Sequence, residues 1–147
     1  MTTISGITLR NTKGSELTFT EMDNNFTNLK NGIEGLFTST VTIKGLTETV
    51  YNHGNVSGTV APDCSSGTVH KMVLTGNLTL NALTNNVTGS GVTILLTQDG
   101  TGSRILTSTM KWANGYKTLS TSTGAIDVVS IFYDGTNYLA SLSKGFA

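Results

Sequence analysis

"IDVVSIFYDGTNYLASL", residues 126–142, reads as two strands around a tight turn. Successive side chains on a strand point to opposite faces, so Val128, Ser130 and Phe132 share one face and Asp127, Val129, Ile131 and Tyr133 the other. Asp134-Gly135 supplies the positive φ of a short hairpin, and the chain returns through Tyr138, Ala140 and Leu142. This segment commits the C-terminal part of the chain to β structure.

Upstream, β-rich runs alternate with turn chemistry. "NVSGTVA", "TVHKMVL", "NLTLNAL", "GVTILLT" and "SRILTST" are separated by "SSG", "TGN", "TNNVTGSG" and "QDGTG". With the hairpin, that makes about seven strands over residues 54–147. The expectation is a mostly antiparallel sandwich or barrel-like domain, with no repeat of solenoid period. Residues 38–53 read as a connector with strand character, since Val41 and Ile43 alternate with polar neighbours.

Residues 17–37, "LTFTEMDNNFTNLKNGIEGLF", have a different period. Met22, Phe26, Leu29, Ile33 and Leu36 step by four and three, the seam of a coiled coil over about two heptads. Thr18 and Glu21 form a capping-box pattern, and Leu17 is placed to staple Met22. Against helix formation stand Asn24, Asn25, Asn28, Asn31, Gly32 and Gly35, each glycine costing up to about 1 kcal/mol relative to alanine. Such a helix needs packing partners, either the β domain of its own chain, copies of itself or another protein. Residues 1–16 read as an extended N-terminal arm, with Ile7 and Leu9 as apolar docking contacts and Arg10 and Lys13 as polar ones.

The 147 residues carry nine basic and nine acidic groups, so no broad field attracts nucleic acid or an acidic membrane. No basic start leads into an apolar run of signal length, and no stretch approaches the ~20 apolar residues of a membrane span. The expectation is a protein made in a cytoplasm without a signal peptide and without membrane insertion. Cys64 stands alone and reads as a small buried hydrophobe.

Candidates for chemistry are few. His53 and His70 lie seventeen residues apart with no spaced further ligand, so no metal or cofactor is expected. Asp99 and Asp134 each precede glycine, where an aspartate bonds its own turn, and no carboxylate pair or nucleophile with a base suggests catalysis. Trp112 and Tyr116 flank Asn114-Gly115 in "MKWANGYKTL"; they read as packing across a hairpin or, alternatively, as a stacking platform for a host surface glycan.

Residues 7–29, "ITLRNTKGSELTFTEMDNNFTNL", resemble a segment near the start of many tailed-bacteriophage virion structural proteins, especially tail-fibre and appendage proteins. The residues that carry the resemblance are Arg10, Lys13, Gly14, Leu17, Thr18, Glu21, Asp23, Asn25, Phe26 and Leu29. "LLTQDGTGSRIL" and "STGAIDVVSIFYDGTNYLASLSKGF" look like the terminal β domain of the same class. The resemblance implies a non-enzymatic virion protein: a short homotrimeric fibre subunit anchored to other virion proteins, in tail or capsid, by its N-terminal part, with the β domain outward. Tail fibres are usually much longer. A head-decoration protein that stabilises the capsid, or a glycan-binding tip module, would also account for the sequence.

Overall fold

The computed structural model describes residues 6–38 and 45–146. The chain divides into two units, Met1–Leu46 and Thr47–Ala147. The first holds α1 (Arg10–Lys13) and α2 (Phe19–Thr38); the second holds β1 (Val50–Val60), β2 (Val69–Leu80), β3 (Gly91–Gln98), β4 (Leu106–Ser108), β5 (Lys111–Trp112), β6 (Ile126–Tyr133) and β7 (Tyr138–Phe146). The mainly β class is as expected, and the hairpin is where the sequence places it.

The arrangement of the strands corrects the expected sandwich or barrel. One sheet runs β1-β2-β3-β6-β7-β5, with β4 also on β2. β1 pairs with β2, β2 with β3 and with β4, and β5 with β7, all parallel; only β3/β6 and β6/β7 are antiparallel. The chain therefore stacks coil on coil, like a β-solenoid. The first coil is β1, the second β2, and the third β3 followed by β4.

The stacking escaped the sequence because its period drifts. Val50 pairs with Val69, Gly58 with Leu78 and Asp63 with Thr84, offsets of 19, 20 and 21 residues. On the next coil Val69 pairs with Thr93 and Leu78 with Leu106, offsets of 24 and 28. The lengthening comes from the loop between β2 and β3 and from the excursion of residues 99–105 between β3 and β4. A fixed repeat does not survive such insertions.

The "TGN" at residues 75–77 is not a reversal, a second correction. Met72, Leu74, Leu78 and Leu80 keep one parity along β2 and are at most 1% exposed. Gly76 sits on that same inward parity, where a Cβ would lie 2.9 Å from the Cβ of Ser57 on the first coil. The glycine permits close stacking where the β1/β2 register shifts and does not turn the chain back. β1 likewise starts at Val50, inside the stretch read as connector; Val41 and Ile43 lie outside the described residues.

The core joins the second and third coils and the hairpin, with Val56 and Val60 of the first coil packed against it: Met72, Leu74, Leu78, Leu80, Val92, Ile94, Leu96, Leu106, Val129 and Ile131 are buried, with Trp112, Leu119 and Ala140 alongside. Each large aliphatic side chain so buried contributes about 1.5–3 kcal/mol. Two polar groups inside are fully engaged. Asp127 accepts from the Ser120 N–H and hydroxyl at 2.7 Å and from the Gly145 N–H at 2.9 Å. Gln98 closes the 99–105 excursion, its Nε2 donating to the Arg104 carbonyl at 3.2 Å and its Oε1 accepting the Arg104 N–H at 2.9 Å.

Candidate assembly surface

The α2 start follows from its capping box. Thr18 is the N-cap; its Oγ1 accepts the Glu21 N–H at 3.2 Å, and Glu21 Oε2 accepts the Thr18 N–H at 2.8 Å. Lys13 Nζ donates to the same Glu21 oxygen and to the Glu16 carbonyl, the latter at 3.0 Å. Lys13 and the Thr18 amide together hold the Glu21 carboxyl down to about 2. Lys30 and Glu34, one turn apart, pair at 2.6 Å further along.

The arm is not fully extended. Its second half makes the single turn α1, closed by Gly14 at φ 75° with its N–H on the Arg10 carbonyl. A glycine takes that left-handed position without Cβ strain. Residues 6–9 lie against the helix through its asparagines. Thr8 N–H donates to Asn25 Oδ1 and Asn25 Nδ2 donates to the Thr8 carbonyl, both at 2.8 Å; Asn28 Nδ2 donates to the Gly6 carbonyl at 2.9 Å. Each amide stands in for a neighbouring strand. Asn25 and Asn28 are one turn apart, so they read the backbone of an arm running antiparallel to the helix. The sequence reading gave neither a partner in the arm, weighing these asparagines as poor helix formers and Asn25 as part of the family resemblance; the signal was their three-residue spacing.

The seam faces another way. Phe26 is 71% exposed, and Leu29 and Ile33 are also exposed, whereas Met22 is half-buried; the Leu36 side chain lies outside the described residues. Phe19, unremarked in the sequence, is 84% exposed and extends the seam by one position, seven residues before Phe26. With Phe19 at position a of a heptad, Met22 and Leu29 fall at d, Phe26 and Ile33 at a, Asn25 at g and Asn28 at c. On the arm Ile7 and Leu9 are exposed as well, and Arg10 makes only a 3.8 Å approach to Glu16. Four exposed apolar side chains at coiled-coil spacing form a surface that water disfavours and a second helix would cover.

In the β unit Trp112 and Tyr116 are not a shared platform. Trp112 is buried in β5 beside β7, paired to Ala140, with its indole N–H lacking a partner. Residues 113–115 make a 3-10 turn rather than a hairpin, with Asn114 and Gly115 at positive φ. Tyr116 is exposed and receives the Lys144 ammonium at its hydroxyl, 3.1 Å away. Trp112 keeps 9% exposure and lines a surface hollow of about 340 Å³ with Lys111, Ala113, Leu139, Ala140 and Ser141.

Parallel stacking brings together the two histidines. His53 Nε2 and His70 Nδ1 are 3.0 Å apart, with the Tyr51 ring edge-on to His53 at 4.7 Å between centroids. His70 is fully buried. Both rings are held below the ordinary histidine range, His53 by burial and His70 by burial and then by His53. Among the described residues no three His, Cys, Asp or Glu side chains converge as metal ligands. Cys64 is half-buried, packs on the core, and has its thiol pushed up by burial and by Asp63.

No described helix is long and apolar enough to cross a membrane. No curated protein and no solved structure gives a significant match to the chain. A family model described as "Putative phage tail fibre C-terminal domain" matches residues 59–138, from the end of β1 to the start of β7 and more than half of the chain. The matched segment contains the second and third coils, with Gly76 and the 99–105 excursion. The chain therefore belongs to this family of phage tail fibre C-terminal domains, a component of the bacteriophage particle.

Proposed function

We propose that the chain is a non-enzymatic fibre subunit that assembles as a parallel homotrimer through α2, joins other virion proteins through its N-terminal unit and presents the β unit outward. The observation that carries this reading is the exposed seam of Phe19, Phe26, Leu29 and Ile33 on a helix whose start is held by a capping box. A fibre needs its copies to point the same way, and a cyclic assembly of parallel helices satisfies that. Three copies rather than two follow from the resemblance to trimeric fibres, not from the heptad residues. The non-enzymatic role is supported by how the carboxylates are used: Asp63, Asp99 and Asp134 each accept backbone N–H groups of their own turns, and Asp127 ties β6 to Ser120 and Gly145. These acids hold loops.

The test is the native molar mass of the intact protein by light scattering after size exclusion. Three chains per particle is the expected result, and a monomer across micromolar concentrations would refute the assembly.

A further inference from the structure

We infer that the N-terminal arm is an inter-subunit strap: held on the flank of its own α2, it presents Ile7 and Leu9 to the α2 of a neighbouring copy. This rests on the self-assembly proposed above and adds to it a second layer of contacts. The heptad register gives the geometry. Position g flanks the a/d seam, and in a parallel coil it lies beside position e of the next helix. Asn25 occupies g and grips Thr8 by both of its backbone groups, and Asn28 at c holds Gly6, so the arm runs along the flank of the helix with Thr8 and the residues after it nearest the seam.

The residues on either side of Thr8 are apolar and stand in water in the single chain, Ile7 at 38% and Leu9 at 54% exposure. They line a surface hollow of about 410 Å³ together with Thr8, Thr12 and Lys13, all from the arm and α1. A side chain of the neighbouring helix fits such a hollow. Charge agrees with the same occupant. Position e of that helix carries Asp23 and Lys30; Lys30 is paired with Glu34, and Asp23, which makes no ion pair among the described residues, lies at the level of the arm end that bears Arg10, 71% exposed. Gly6, at φ 77°, lets the arm lie close: a Cβ there would stand 2.8 Å from Asn28 Nδ2.

The experiment compares the concentration dependence of molar mass for the intact protein, for Ile7→Ser/Leu9→Ser and for Phe26→Ser/Ile33→Ser. Ile7 and Leu9 are exposed, so their replacement leaves the protomer folded, and retained amide-exchange protection at Thr8 shows that the arm is still docked. The expected result is a dissociation constant raised at least tenfold in the arm variant and full dissociation in the seam variant. A seam variant that dissociates beside an arm variant identical to the parent overturns the strap alone. Unchanged assembly in the seam variant overturns assembly through α2 and the strap with it.

Discussion

Asn25 and Thr8 exchange two hydrogen bonds of 2.8 Å, the side-chain amide of one pairing with the backbone N–H and C=O of the other as a strand would. This pairing makes sense of a helix built from poor helix formers. Its asparagines bind an arm, and Phe19, Phe26, Leu29 and Ile33 of its apolar seam stay exposed.

Asn25→Ala removes both bonds. At about 0.5–1.5 kcal/mol net for each, docking of the arm weakens by about 1–3 kcal/mol. Amide exchange at Thr8 is expected to rise accordingly, while the Thr18–Glu21 cap and hence helix content are retained. Asn25→Asp keeps the acceptor and loses the donor, so it falls between the two.

Glu21 provides a titration. Its carboxyl is held at about 2 by Lys13 and the Thr18 amide. A depressed carboxylate stabilises the fold above its ordinary value of about 4.5 and loses that contribution as pH falls toward 2. NMR titration of the Glu21 carboxyl is expected to show a midpoint near 2 in the parent and an upward shift in Lys13→Ala.

The histidine pair gives the opposite end of the pH range. Both rings favour the neutral form in the fold, so the unfolded chain binds more protons once pH drops below about 6.5. Stability is fully present above that value and declines below it. Melting temperature is expected to fall between pH 7 and pH 5, with a shallower slope in His53→Gln, which removes one titrating ring.

Gly76→Ala tests the close stacking of the first two coils. The added methyl lands against Ser57 and is expected to cost about 1–3 kcal/mol in denaturant unfolding. Ser57→Gly in the same chain should restore most of it. A turn at residues 75–77 would show no such coupling.

Local patterns were legible and non-local ones were not. The hairpin reads directly, because Asp127, Val129 and Ile131 are buried while Ser130 and Phe132 face out, and Tyr133 pairs with Tyr138 across the Asp134 turn. The capping box at Thr18 and Glu21 reads equally well, since all its partners lie within four residues. Gly76 misled because the same residue type serves both tight turns and close backbone approach, and only the position of Ser57 nineteen residues earlier distinguishes them. Parallel register has no two-residue turn to announce it, and the insertions at 81–90 and 99–105 erase the period that would have stood in for one. Of the assembly surface, the seam was visible by spacing. The role of Asn25 and Asn28 was not, because their partners are backbone atoms seventeen and twenty-two residues away.

The most direct test of parallel assembly through α2 places a thiol in the seam. In a Cys64→Ala background, Leu29→Cys puts a sulfur at position d, and Asn31→Cys puts one on the outer face of the same helix. Under mild oxidation the account predicts covalently linked chains for Leu29→Cys and unlinked chains for Asn31→Cys on a non-reducing gel. Linkage at both positions alike, or at neither, would contradict it.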